Sequence, residues 1–343
     1  MHCHGDQLFS WSEHAKGTRS TTSKEQIPNQ VQYDNFIQFN KVLVVGLGQL
    51  GLPVARYVKE RGFDTYGYDI SPKAVEMVQK TAAIEKAVSY GEYDVFILCV
   101  STHKPDDIFS PQIDGLLSIV EKISKEASSG ALVSIESTIP KGTSKKVFDI
   151  LDHRMHVVHA PHRWYSVEEK DHGVNQLRVI GGMCECCLKA GMIFYRGVDS
   201  VNVNAQGYSS PSSTKSLGIP MHPVTNIEIA EITKIAENAH RYLQIAFAED
   251  LYLYCQANNI NFPELRDALN TKWNVNILEP REGIGGHCLP KDTKMFLQSS
   301  NRRKSKILAA AMDVDEDYKR FRAKLGKRIR SATIKRVGSP KSQ

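Results

Sequence analysis

The sequence predicts an α/β fold: a doubly wound parallel sheet followed by a helical middle domain with a long central helix. Three observations predict it. Short apolar strands alternate with helical stretches through the first part of the chain. A glycine-rich turn joins the first strand to the first helix. Farther on, residues 226–258 contain no Gly or Pro and place Ile229, Ile232, Ile235, Ala236, Ala239, Leu243 and Ala246 at helical spacing.

Residues 1–39 hold His, Gln, Ser and Lys without periodicity and lack the apolar core of a signal peptide, so a disordered extension is expected there. Residues 41–45 are apolar and β-branched, which reads as a buried strand. Gly46-Leu47-Gly48-Gln49-Leu50-Gly51 follows at once, and 52–61 reads as a helix. This is G-x-G-x-x-G in its strand–turn–helix context. Gly46 makes the tight turn, Gly48 admits a pyrophosphate, and Gly51 lets helix and strand pack closely. Gln49 and Leu50 belong to the same loop, at a helix N-terminus that favours phosphate. A second strand, 65–68, ends at Asp69, about 20 residues past the glycines, where a carboxylate binds the ribose hydroxyls. An acid there repels a 2′-phosphate, so NAD is expected, held by a Rossmann domain spanning 40–200.

The rhythm continues with an apolar strand at 94–100 that leads into Thr102. Ser110-Pro111 reads as an N-cap with a first-turn proline, opening a helix that runs to Lys125. Residues 131–135 form the next strand and run into Glu136, Ser137 and Thr138. Shorter strands are expected at 156–159 and 176–180, the second just before Gly181-Gly182. Ligands bind at the carboxyl ends of such strands. Thr102, Thr138 and the turn carrying His162 and Arg163 are therefore expected around one crevice.

Residues 201–223 are rich in Ser, Pro and Gly and read as a linker; Thr225 then caps the long helix of a helical domain at 224–312. Lys234, Asn238 and Arg241 share one face of that helix, at i, i+4 and i+7. A solvated face is the ordinary reading of such residues. Their alanine- and isoleucine-rich surroundings point instead to partial burial and acid–base work.

The segment from Gly283 to Asp292 (GIGGHCLPKD) is the most informative in the chain. Gly285 and Gly286 let a substrate come close to the backbone. Pro290 suits a first helical turn, which places Cys288 near a helix N-terminus, where a thiolate is favoured. Asp292, four residues on, is placed to transfer protons beside the sulfur. A thiol built this way attacks an electrophilic carbon.

Composition bounds the partners. The chain has 343 residues, which fits two domains. Of its 44 Lys and Arg, ten lie in 319–343 with no acid among them; elsewhere the 38 Asp and Glu are in excess. The net charge of +6 therefore describes a basic tail, assigned to 313–343, whose residues 319–343 are expected to be a solvated helix that frays into disorder. Phe321 is the one aromatic residue of 319–343, so nucleic-acid recognition is not supported. No apolar run approaches ~18 residues, and no membrane span is indicated. Seven cysteines, an odd number, suit a reducing cytoplasm. Cys184-Glu185-Cys186-Cys187 lacks a second ligand pair at zinc-site spacing and reads as incidental, so no metal is expected.

Taken together, the motifs resemble those of the UDP-glucose/GDP-mannose dehydrogenase family, which includes UDP-N-acetylmannosamine dehydrogenases. GLGQLGLPVA, Asp69, ESTIPKGT, HAPHRW, RVIGG, AEITKIAENAHRYLQIAFAED and GIGGHCLPKD occur in family order across 41–308. The resemblance implies oxidation of a nucleotide sugar's C6 alcohol to a carboxylate with two NAD, for glycan precursors. It implies that Cys288 is the nucleophile, forming a thiohemiacetal and then a thioester. Lys234 and Asn238 would stabilise the oxyanion, Asp292 would assist proton transfer, and Thr138 would hold a catalytic water. His162, Arg163, Arg178, Arg241, Gly285 and Gly286 would line the substrate, and the long helix would form a homodimer.

The chain departs from the family pattern in three places. Pro161-His162-Arg163 stands where the family has Pro-Glu-Arg, leaving Glu168 or Glu169 as possible substitutes. Glu249-Asp250 stands where it has Asn-Glu. No second glycine-rich strand–turn–helix follows, so the usual C-terminal nucleotide-sugar domain is expected to be lacking, or supplied by a second chain. Two alternatives remain open. One is a single-step β-hydroxyacid-type dehydrogenase, against which Cys288 argues. The other is an NAD-binding remnant that serves as a regulatory or partner subunit.

Overall fold

The computed structural model describes residues 38–104, 106–107, 110–164, 172–197, 215–286, 288–299 and 305–337, with side chains as far as Lys327. The expected extension (but for 38 and 39), Glu168, Glu169 and most of the expected linker lie outside the described residues. The N-terminal strand, β1 (Lys41–Val45), leads into α1 (Gly51–Glu60), β2 (Asp64–Tyr68), α2 (Pro72–Ala82) and β3 (Glu85–Lys86). Then come β4 (Val95–Leu98), α3 (Asp114–Glu126), β5 (Leu132–Ile135), α4 (Thr143–Leu151) and β6 (His156–His159). The sheet is completed by β7 (Arg178–Gly182), α5 (Glu185–Arg196) and β8 (Met221–Val224).

Its strand order is β3-β2-β1-β4-β5-β6-β7-β8. Every pairing is parallel except β6 with β7. The central strands are buried on both faces, as continuous apolar runs require. Successive residues of β1 point to opposite layers. Val42 and Val44 join Val54 and Val58 of α1, whereas Leu43 and Val45 join Leu116, Val120 and Ile123 of α3.

Several local expectations change. Helix α3 begins at Asp114, not at Ser110-Pro111, because the Ser110 hydroxyl bonds Asp107 at 2.5 Å and Pro111 forms a bridge with His103. The end of the expected linker forms β8, drawn in by the buried Leu217, Ile219 and Met221. Pro223 is tolerated there because β8 is an edge strand.

The long helix, α6 (Ile227–Ala257), is capped by Asn226 and not by Thr225; the Asn226 side chain accepts the Glu228 N–H at 2.9 Å. Gly181 lets it dock on the sheet, since a Cβ there would stand 2.7 Å from the Ile227 Cα. Glu231, buried on α6, accepts the N–H groups of Gly142 at 2.6 Å and Ser144 at 2.7 Å, at the start of α4. A carboxylate at a helix N-terminus satisfies orphan donors, and this contact ties α6 to the strand-end loop that carries Thr138.

Helices α7 (Phe262–Leu269), α8 (Cys288–Gln298) and α9 (Lys306–Val337) follow. Tyr242 and Ala246 of α6 cluster with Ile284 and with Ala311 of α9. Asp315 and Tyr318 are buried, so the first turns of 313–343 are packed helix, ahead of the basic residues. Among the described residues, no helix is long and apolar enough to cross a membrane.

Candidate active site

The strand order reverses between β1 and β4, and crevices for ligands form at such switch points. Gly46 has φ +90°, and a Cβ on it would stand 2.6 Å from the Cys99 carbonyl oxygen. A Cβ on Gly51 would meet the Gly46 carbonyl oxygen at 1.6 Å, so these two glycines serve backbone packing. Gly48 is different: among the described residues nothing lies within 4 Å of its would-be Cβ, and it faces the open space a pyrophosphate would take. Gln49 beside it is exposed and Leu50 half-buried. Asp69 accepts the Leu47 N–H and the Ser71 N–H, each at 2.7 Å, which pins its carboxylate at the glycine loop. Thr102 donates to the Thr138 carbonyl at 2.7 Å and joins two strand ends. These residues fit NAD.

A second group forms where α8 meets α6. Cys288 is the first residue of α8 and is exposed; Asp292, one turn on, is 2% exposed. Asp292 accepts a hydrogen bond from Asn238 at 2.5 Å and one from Lys291 at 2.6 Å. Lys291, buried with it, was not singled out by the sequence; its adjacency to Asp292 was the available signal. Lys234 lies one turn before Asn238 and is half-buried. The Cys288 thiol is pushed up, first by lost hydration and then by the Asp292 charge, against the pull of Lys291 and Lys234. Lost hydration of the sulfur and the nearby carboxylate thus oppose the thiolate expected at the helix N-terminus.

A third group lies under the end of β5. His162 and Tyr195 both hydrogen-bond to the Glu136 carboxylate, and the Arg178 guanidinium approaches it at 3.2 Å. Burial alone pushes the Glu136 carboxyl up. His162 and Arg178 beside it, with the hydrogen bonds from His162 and Tyr195, bring it down to about 2. Burial, with the Arg178 charge, pushes His162 down to about 4 against the pull of Glu136. The ring is therefore neutral at pH 7 and donates its Nε2–H to Glu136. Its Nδ1 is buried without a hydrogen-bond partner among the described residues. Lys234 also acts electrostatically on His162, which places this group next to the Cys288 group.

The remaining expected residues divide. Arg178, expected against substrate, is 1% exposed and serves as the counter-ion of Glu136 below the site, also donating to the Val174 carbonyl at 2.7 Å. Arg163 pairs with Glu237 of α6. Arg241 is exposed and reaches Gln244 at 3.3 Å. Thr138 is half-buried, and Gly285 and Gly286 are exposed, with open space at their would-be Cβ positions.

A dinucleotide crevice beside a thiol, with an amide, an ammonium and a carboxylate grouped behind it, defines an oxidoreductase. Family comparison agrees. Residues 79–199 match the NAD binding domain, and 228–317 the central domain, of the UDP-glucose/GDP-mannose dehydrogenase family. A UDP-N-acetyl-D-mannosamine dehydrogenase of Campylobacter jejuni is 30% identical over 318 residues, which cover 83% of this chain and 73% of the relative. The solved UDP-D-ManNAc dehydrogenase of Pyrococcus horikoshii superposes with TM-score 0.69 at 26% identity, over 85% of this chain and 72% of that one. The 3-hydroxyisobutyrate dehydrogenase of Mycobacterium tuberculosis shares the fold alone, with TM-score 0.60 at 14% identity over 83% of this chain and 94% of that one. The chain belongs to the UDP-glucose/GDP-mannose dehydrogenase family. It is an NAD-dependent oxidoreductase acting on CH–OH groups.

Proposed function

We propose that the chain oxidises the C6 alcohol of a UDP-sugar, of the UDP-N-acetylmannosamine or UDP-glucose type, to a uronic acid through a cysteine thioester, for glycan precursor synthesis. The observation that carries this reading is Cys288 at the head of α8, with Asp292 one turn below and held by Asn238 and Lys291. A single hydride transfer needs no nucleophile, so this arrangement disfavours the β-hydroxyacid alternative. NAD, when bound, accepts one hydride in each of the two oxidations.

The residues divide the work as follows. After the first oxidation, the Cys288 sulfur bonds to the aldehyde carbon and its proton passes to the oxygen, giving a thiohemiacetal. Lys234 and Asn238 supply fixed donors to the oxygen as it gains charge. The second oxidation leaves a thioester. Water held at Thr138 then attacks it, and the carboxylate leaves as the thiol is restored. His162 takes the place of the family glutamate in these proton steps. With Nε2 committed to Glu136, it offers Nδ1 as the acceptor.

A second copy of the chain is proposed to dock along α6. Ile229, Phe247 and Tyr254 are exposed there, and Ile229, Ile232 and Ala236 line an apolar groove. A reducing cytoplasm is the proposed setting, supported by six free cysteines among the described residues.

The test measures NADH release with NAD and, separately, UDP-N-acetylmannosamine, UDP-glucose and GDP-mannose. Two NADH per UDP-sugar are expected, with acid formation abolished in Cys288→Ala. Undiminished acid production by that variant rules out the thioester. NAD binding without turnover favours the reading as a regulatory or partner subunit.

A further inference from the structure

Four metal-binding side chains converge away from the crevice. Cys184 is the N-cap residue of α5, and Cys186 and Cys187 lie in its first turn. The Cys184 Sγ is 2.9 Å from the Cys186 Sγ and 3.2 Å from the Cys187 Sγ. His153 comes from another element, the turn between α4 and β6. Its Nε2 lies 3.5 Å from the Cys184 Sγ and 3.4 Å from the Cys186 Sγ. The four ligand atoms all lie within 4.8 Å of one another.

The backbone holds them there. Asp152 and His153 have φ of 49° and 51°, a left-handed pair that is costly for residues other than glycine. The pair reverses the chain and turns the imidazole toward α5, while its ring rests on Phe148 of α4 at a centroid distance of 4.8 Å. The Cys187 sulfur is buried and accepts the Val157 N–H at 3.3 Å.

We propose that His153, Cys184, Cys186 and Cys187 form a closed four-ligand site for a thiophilic divalent cation, with zinc as its natural occupant. Three thiolates and an imidazole are a donor set of tetrahedral structural zinc. With Zn–S of about 2.3 Å and Zn–N of about 2.0 Å, a tetrahedron sets nitrogen–sulfur separations at about 3.5 Å and sulfur–sulfur separations at about 3.8 Å. The first already holds for Cys184 and Cys186, and the ion would move the Cys184 sulfur away from those of Cys186 and Cys187 by under about 1 Å. The thiols release their protons to solvent as the ion binds. Entry is direct, because His153 and Cys186 are exposed. A disulfide would use two of the sulfurs and leave His153 without a purpose.

The placement defines the role. β7 runs antiparallel to β6, so the end of β7 lies beside the start of β6, at the opposite end of the sheet from Thr102 and Thr138. An ion here would clip the α4–β6 turn to α5 and brace the sheet. With four protein ligands no position stays open for chemistry.

The test is metal analysis of the full chain purified under reducing conditions, with cobalt(II) as the spectroscopic probe. One zinc per chain is expected. Cobalt should give the intense thiolate charge-transfer band and the visible bands of a tetrahedral ion. His153→Ala and Cys186→Ser alter exposed side chains and should fold, as circular dichroism checks. Each should weaken zinc binding at least ~100-fold, since losing even an outer partner costs ~10–100-fold. Cys288→Ala should keep its metal. Failure of the folded, reduced protein to bind either ion, or unchanged affinity in both ligand variants, overturns the proposal. So does a Cys184–Cys187 disulfide that persists under those reducing conditions.

Discussion

Two buried glutamates, Glu136 under the crevice and Glu249 in the joint between α6 and α9, meet opposite electrostatic fates. They are 1% and 0% exposed. Yet Glu136 is pulled to about 2 and Glu249 is pushed to about 8. Glu136 has a guanidinium, an imidazole and a phenol around it. Glu249 is dehydrated and faces a second carboxylate, Asp315, with only partial relief from Lys319 and the Ile284 N–H. Both of those groups are already engaged by Asp315, at 2.7 and 3.1 Å. Burial sets the size of the effect, and the partners set its sign. The first arrangement fixes a charge beside the chemistry. The second holds a proton beneath the loop that delivers Cys288.

The largest effect is expected from removing the guanidinium. Arg178→Met leaves the Glu136 charge buried without its permanent counter-ion, a loss of about 3–5 kcal/mol for a broken buried pair. Urea unfolding at pH 7 measures it, and Glu136→Gln in the same chain should recover much of the loss. A double variant as unstable as Arg178→Met alone would show that the arginine acts through packing, and the comparison with Glu249 would fail.

Glu249→Gln should act in the opposite direction. The folded Glu249 carboxyl, at about 8, keeps its proton where the unfolded chain, near 4.5, has lost it. The wild-type penalty is therefore absent below pH ~4.5, grows as pH rises from there to ~8, and is constant beyond. The glutamine mimics the protonated acid and should stabilise the protein by on the order of 2–4 kcal/mol at pH 8, and by little at pH 4.5. Melting curves across that range check it; a gain independent of pH would place the effect in packing.

These pairings also mark where the sequence stopped being legible. The glycine loop, Asp69, the strand alternation and the common face of Lys234 and Asn238 are local or periodic signals, readable because the spacing itself is the structure. Cys288 at the start of α8 was legible for the same reason. The Glu136 group was not: His162 is 26 residues from Glu136 and Tyr195 is 59, and only the folded sheet brings them together. Arg178 was expected against substrate on the family resemblance alone, and its tertiary pairing with Glu136 claims it instead. His153 stands 31 residues from Cys184, beyond any spacing rule applied to the cysteines alone. The Ser110-Pro111 signal failed in a simpler way, since a nearby aspartate took the hydroxyl that would have capped the helix.

The smallest effect sharpens the comparison most. Tyr195→Phe deletes one neutral donor to Glu136 and leaves Arg178 and His162 in place. The hydroxyl also lies 2.6 Å from the Ser134 Oγ, which is free to turn once the phenol is gone. A hydrogen bond to a charged group contributes about 1.5–3 kcal/mol, and the partners that remain put the expected loss near the lower end. The pH dependence separates charge from packing. Glu136 contributes stability that is fully present above the unfolded value near 4.5 and is lost as pH falls through about 2. Losing a donor raises its folded value, so acid unfolding should begin at higher pH in Tyr195→Phe. A loss equal at pH 7 and at pH 3 would mean that the ring and not the hydroxyl carries the contribution. In that case Arg178 and His162 alone would account for the difference between the two glutamates.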